Sequence, residues 1–428
     1  MAKVTLGDMS RQGPNWWAKL KFKEPDDRKC SSGSQLQSYA SFRSPNHSKK
    51  KRVMAIAIIV VVLLTCSLIG SATGCQFPAI YNFGDSNSDS GGVSATFGRV
   101  PYPNGETFFH KQSARHSDGR LIIDFIAEKL GLPLLHAYLD ALNPSYRYGA
   151  NFALSGSTIQ LSDSKVINAY FNPMSLTTQI FQFKQFKNRT ITLYNKGSHI
   201  RSSLPRPKDF SKALYSIDIG QNDVHFGLTT MEEEQVKASF PNIINRFASL
   251  IQELYQEGAR KFWIHNTGPI GCMPLFIINF PPKSGNADEN GCIKSYNQVA
   301  QEFNNQLKQK VAGLRTNFPD ATLVLVDIYS AKYTLINEAR QNGFVDPVGY
   351  CCGIVGVLGC GGTAIVNGTK VFGASCSNPS NYISWDGIHY TDAANQWVTN
   401  STIHGYFTDP PISLTQACSF KKGNKKQN

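Results

Sequence analysis

Phe77-Pro78-Ala79-Ile80-Tyr81-Asn82-Phe83-Gly84-Asp85-Ser86 is the stretch from which the fold is read. Its short apolar, aromatic run predicts a buried strand. Gly84 then allows a sharp turn, and Asp85 and Ser86 are hydrogen-bonding turn residues. The same kind of run returns at Ala213–Ile219, Lys261–His265 and Ala321–Val326. Between these runs, apolar residues recur every three or four positions. That spacing predicts helices over Asp118–Leu130, Leu176–Phe186, Gln235–Glu257, Lys294–Thr316 and Asp392 to about Tyr406. Near-continuous apolar strands alternating with helices indicate an α/β fold with a parallel sheet covered on both faces. No repeat and no linker divides it, so one domain is expected over residues 75–408. The stretches 89–117 and 343–385 are too long for simple connections.

The flanks differ in character. Residues 1–52 are polar, Ser- and Lys-rich and aperiodic, and read as a disordered basic leader. Lys49-Lys50-Lys51-Arg52 precedes the apolar run Val53–Leu64, and Ala72-Thr73-Gly74 offers a small-residue cleavage site before Cys75. Residues 53–74 therefore read as a signal peptide. The alternative is an uncleaved type II anchor, because Val53–Gly70 is long enough to span a bilayer. Eight of the ten cysteines follow from Cys75 onward, with no C-x-x-C among them. In a secreted chain such a set implies disulfides. Cys272 and Cys292 flank a loop and are expected to pair; the other pairings stay open. Asn188, Asn367 and Asn400 begin glycosylation sequons. These features agree on a secreted, extracellular glycoprotein.

The formal net charge of +13 is unevenly placed. Residues 1–74 hold 12 Lys and Arg against 4 Asp and Glu, and residues 409–428 read as a basic flexible tail ending in a Lys-rich segment. The body between them is close to neutral. A nucleic-acid face needs clustered Lys and Arg on folded structure, and none is visible.

Ser86 stands just past a strand, where open α/β sheets bind their ligands. If a helical turn begins there, its backbone N–H groups face whatever sits on the serine oxygen. A serine hydroxyl needs a base, and the base needs a carboxylate to orient it. Asp386-Gly387-Ile388-His389 is the only Asp-x-x-His in the chain. At that spacing both side chains can share a face, on one helical turn or in a tight loop. Gly220-Gln221-Asn222-Asp223 follows another strand, and its Asn222 amide can donate to an oxyanion. Tyr148–Ser157 is a Gly-rich segment where a backbone N–H could join it. Each signal alone has a plainer reading: an Asp/Ser turn, Asp386 as a helix cap, an ordinary half-buried histidine, an Asn-rich turn. Their order and placement after strands argue for acyl transfer.

Phe83-Gly84-Asp85-Ser86, the Gly156 segment, Gly220-Gln221-Asn222-Asp223 and Asp386-Gly387-Ile388-His389-Tyr390-Thr391 resemble the four blocks of the GDSL (SGNH) hydrolases. The chain over 77–408 is more closely similar to the secreted plant GDSL esterase/lipases of the nodulin-type branch. Asn104–Phe109, Ser117–Phe125 and His265–Cys272 carry that likeness. The resemblance implies a three-layer α/β/α, flavodoxin-like fold with a five-stranded parallel sheet. It implies Ser86 as nucleophile, His389 as base and Asp386 as its orienter. It implies Ser86 N–H, Gly156 N–H and the Asn222 side chain as the oxyanion hole, with Gly149 a near rival to Gly156. No metal or cofactor is implied. Asn87 departs from the Leu of the family name, and Gly353–Gly359 is unusually apolar.

The expected activity is hydrolysis of a carboxylic ester, on acetylated sugars, acetylated metabolites or short-chain lipid esters, free or linked to polysaccharide. The alternative is a catalytically silent wall or surface binding protein on the same scaffold. A glycosidase is a weaker third reading, since no suggestive carboxylate pair emerges. G-x-S-x-G, a phosphate-binding loop and H-E-x-x-H are absent. Gly359–Ala364 mimics a dinucleotide fingerprint without the strand and helix it needs.

Overall fold

The computed structural model describes residues 75–142, 144–160, 174–197, 199–366 and 368–420. The leader, the signal or anchor segment, Asn367 and the Lys-rich end lie outside the described residues.

The run that opens the domain becomes β1, Ile80–Gly84, buried along its whole length. The other strands of the main sheet are β2 (Gly149–Asn151), β3 (Leu214–Asp218), β4 (Lys261–His265) and β5 (Thr322–Val326). Their order is β2-β1-β3-β4-β5, and every neighbouring pair is parallel. A two-residue strand, Thr408–Asp409, adds an antiparallel edge beside β5. Side chains alternate between two cores. Tyr81, Phe83, Tyr215 and Phe262 face one, with Phe183 and Phe303 from the covering helices. Ile80, Leu214, Trp263 and Val324 face the other, with Ile126 and Leu335. The result is the expected α/β/α sandwich around five parallel strands. Burying each large apolar side chain contributes about 1.5–3 kcal/mol, so β1 is firmly held before any chemistry is asked of it.

The long helices Glu233–Gln256 and Lys294–Asn317 match their periodicity closely. Leu176–Asn195 starts after Ser175 as expected and runs further. The helix expected from Asp118 begins only at Ile122. Ser117 Oγ accepts from Gly119 N–H instead, and Asp124 caps the helix by accepting from Leu121 N–H. The last predicted helix ends at Thr402. Ile328–Asn337 was not anticipated, because its apolar pattern abuts β5 with only Asp327 between, and that residue is its N-cap. The flexible tail expected from 409 also needs correction. Leu414–Ser419 is a helix with Leu414 and Ala417 buried, and Cys418 is bonded to Cys75. All eight cysteines of the domain are paired: Cys75–Cys418, Cys272–Cys292, Cys351–Cys376 and Cys352–Cys360.

Neighbours on opposite sides of β1 create the feature that matters. The chain leaves β1 for β2 on one side and returns to β3 on the other, and such a switch opens a crevice at the strand ends.

Candidate active site

Ser86 lies in that crevice, two residues past β1. It stands in a turn closed by Ser88 N–H donating to Asp85 O at 3.1 Å, and the next helix begins only at Gly92. The expected helical turn at Ser86 is therefore a single turn. Gly84 is required here. A Cβ would come within 2.4 Å of Asp218 O on β3. The Gln179 side chain grips the same residue, accepting from Gly84 N–H at 2.9 Å and donating to Gly84 O at 2.8 Å. Ser86 is 6% exposed, and among the described residues neither its hydroxyl nor its N–H has a hydrogen-bond partner.

Asp386 and His389 share a tight loop, not a helix. Gly387 turns it with φ 93°, and a side chain there would strike Val355 of the apolar Gly353–Gly359 stretch. Asp386 Oδ2 lies 2.7 Å from His389 Nδ1, while Oδ1 accepts from the N–H groups of Ile388 and His389 at 3.0 and 2.8 Å. The helix-cap reading fails, because Thr391 caps the following helix. Burial alone would raise the Asp386 pKa, but His389 and these hydrogen bonds hold it far below the usual carboxylate range. With Nδ1 committed to Asp386, the buried Nε2 of His389 is left without a partner among the described residues.

The Gly-rich segment runs along the end of β1, with Leu154 N–H donating to Gly84 O at 3.1 Å. Gly149 belongs to the sheet, and its N–H donates to Tyr146 O at 3.0 Å. Gly156 N–H has no partner among the described residues. Asn222 sits in the first turn of Gln221–Thr230. Its Nδ2 donates to Ser157 O at 2.9 Å, which uses one of two amide hydrogens. Asp223 accepts from Ile159 N–H at 2.9 Å and holds the same segment down. Burial pushes the Asp223 carboxyl up to about 7. Three donors are thus uncommitted among the described residues: Ser86 N–H, Gly156 N–H and the second Asn222 hydrogen.

Several contributors had no sequence signal. Asp89 accepts from Gly91, Val93 and Ser155 N–H at 2.8, 3.0 and 2.8 Å, joining the nucleophile turn to the Gly156 segment. The His116 ring stacks on His389 at 4.8 Å, and its Nε2 shares a hydrogen bond with Ser155 Oγ at 3.0 Å. Trp385 anchors the base loop. Its indole donates to Asn104 Oδ1 at 2.8 Å, and its backbone N–H donates to His389 O at 2.7 Å. Arg120, in the Ser117–Phe125 segment, ties that segment to the helix that follows His389, through paired contacts with Asp392 at 3.0 Å. Asn87, which replaces the family's Leu, donates to Asp85 Oδ1 through both backbone and side chain, at 2.9 and 3.1 Å.

Among the described residues, two clusters have metal-ligand composition. Cys272, Asp288 and Cys292 form one, but both sulfurs are in a cystine and cannot act as thiolate ligands. His116, Asp386 and His389 form the other, and there Asp386 and His389 already bond each other. A cleft lined by Gln221, Met273, Ile383, Ile388 and Tyr390 opens beside the base. Asn188 and Asn400 are both exposed on helices.

Residues 80–401 match the family described as GDSL-like Lipase/Acylhydrolase. A GDSL esterase/lipase of Arabidopsis thaliana is 49% identical, with 86% of this chain and 98% of the relative covered. GDSL esterase/lipase ENOD8 of Medicago truncatula is 45% identical over 86% of this chain and 97% of its own. Alpha-L-fucosidase 3 of Arabidopsis thaliana is 44% identical over 84% of this chain and 98% of its own.

Proposed function

Since this chain belongs to the GDSL-like lipase/acylhydrolase family and is a carboxylic ester hydrolase, we propose that its chemistry runs through an acyl-Ser86 intermediate. His389 Nε2 takes the Ser86 proton as Oγ attacks the ester carbonyl carbon. Asp386 holds the imidazole in the tautomer that accepts at Nε2, and it stabilises the imidazolium. The carbonyl oxygen becomes an oxyanion between Ser86 N–H, Gly156 N–H and Asn222 Nδ2. Collapse breaks the bond to the alcohol oxygen, which leaves with the proton from His389. A water then attacks the acyl carbon. His389 takes its proton and returns it to Ser86 Oγ as the acid departs. The observation that supports this reading is the Asp386–His389 contact at 2.7 Å, with a buried, unpartnered Nε2 and three uncommitted donors nearby.

The substrate class belongs to the same proposal: acetylated sugars, acetylated small metabolites or short-chain lipid esters. So does secretion. Four disulfides suit an oxidising compartment. A silent binding role is not favoured, given relatives named as esterases.

The test pairs a panel of acetyl, short-acyl and lipid esters, plus an α-L-fucoside, with a serine-reactive fluorophosphonate. The expected result is ester turnover, an adduct on Ser86, and loss of both turnover and adduct in Ser86→Ala. The expected fall in turnover is about 10⁶-fold. Ester or fucoside hydrolysis that survived Ser86→Ala would overturn the nucleophile assignment.

A further inference from the structure

His116 is a titratable group beside His389 that the chemistry above does not use. Its ring lies against the His389 ring, centroids 4.8 Å apart and planes 24° from parallel. Its Nε2 is 3.0 Å from Ser155 Oγ. Ser155 is the residue before Gly156, and its N–H is held by Asp89 at 2.8 Å. One imidazole therefore touches the base on its flat face and, through its edge, the segment that carries an oxyanion donor.

We propose that His116 is a positioning residue that fixes the His389 ring plane and the Gly156 turn as a unit. The proposal rests on the reading of Ser86, His389 and Gly156 given above. The stack restrains rotation of His389 about its side-chain bonds while Nδ1 stays on Asp386. The bond to Ser155 Oγ sets the distance between the base and the donor. An aromatic ring without a polar edge could supply the stack but not the tether. A second consideration agrees. Burial, and then the neighbouring His389, lower the His116 pKa to about 4, so it stays neutral beside an imidazolium formed in turnover.

His116→Phe keeps a ring against His389 and removes the tether. Ser155→Ala removes the same tether from its other end. The two variants, their combination and Ser86→Ala are compared on p-nitrophenyl acetate, with melting temperature as a check on folding. Each single variant is expected to lower kcat about 10- to 100-fold with KM within about twofold, as for a small displacement of reacting groups. The double variant should be no worse than the worse single, because both remove one interaction. An unchanged kcat in Ser155→Ala, a loss confined to KM, or losses that multiply in the double variant would overturn the proposal. Should His116→Phe fail to fold, the kcat and KM of Ser155→Ala decide it. Ser86→Ala separates the two levels. Activity in that variant overturns the underlying reading, whereas an inactive Ser86→Ala beside fully active tether variants overturns only the role of His116.

Discussion

Ser86 and the Asp386–His389 pair belong to two regions held by different forces. The Ser86 side is sheet. β1 is hydrogen-bonded to β2 and β3 along its length, and the close approach at Gly84 is possible only without a Cβ. The Asp386–His389 side is an irregular loop held by cystines and one indole. Cys351 and Cys352 N–H both donate to Trp385 O, at 3.0 and 2.6 Å, and the two cysteines pack around Trp385 while bonded to Cys376 and Cys360. The carboxyls of the two sides also differ in sign. Burial and then Asp218 raise Asp85 to about 7, whereas Asp386 is held low by its histidine. A periodic ladder fixes a strand end by repetition; a loop needs covalent links to reach similar precision.

The largest expected effect that sharpens this contrast is on the sheet side. Asn222→Ala removes a side-chain donor while leaving the helix and β3 in place. Turnover should fall about 10²- to 10³-fold, measured as kcat on a short-chain ester. Unchanged turnover would take Asn222 out of the site.

An intermediate effect is expected on the loop side. Replacing Cys351 and Cys376 together by Ser loosens the base without touching the sheet. A fall in kcat of about 10-fold is expected, with a stability cost of about 2–5 kcal/mol in urea unfolding. If Cys75→Ser with Cys418→Ser lowered kcat as much, the cystines would serve overall stability only, and the contrast would break.

The smallest effect is in the pH dependence of stability. A raised Asp85 pKa means that between about pH 4 and 7 the fold keeps a proton the unfolded chain has released. Stability therefore falls as pH rises through that window. A lowered Asp386 pKa stabilises the fold above about pH 4, and that contribution is lost as pH falls further. Relative to Asp85→Asn, the wild type should lose stability as pH rises from about 4 to 7. Relative to Asp386→Asn, it should lose stability as pH drops below about 4. Urea midpoints across pH give both slopes, and slopes of the same sign would erase the electrostatic distinction.

The legible parts were those with a period or a short-range spacing. Lys261–His265 was read residue for residue, and the two longest helices to within a few positions, because burial on one face repeats along the sequence. Asp386 and His389 were legible because their geometry is local. Ile328–Asn337 and Leu414–Ser419 were missed, the first because its pattern merges with β5 and the second because it is short and lies near a charged end.

Sequence alone determined the candidate residues: a serine after a buried strand, an Asp-x-x-His, and an amide after another strand. These rest on residue type and local spacing, which survive without coordinates. Only the tertiary structure decided who stands beside them. Trp385 under the base loop, Gln179 on Gly84, Gly156 rather than Gly149 as the uncommitted donor, and His116 against His389 all join residues far apart in the chain. No local pattern encodes such pairs, because they form only when the sheet order and the cystines bring distant segments together.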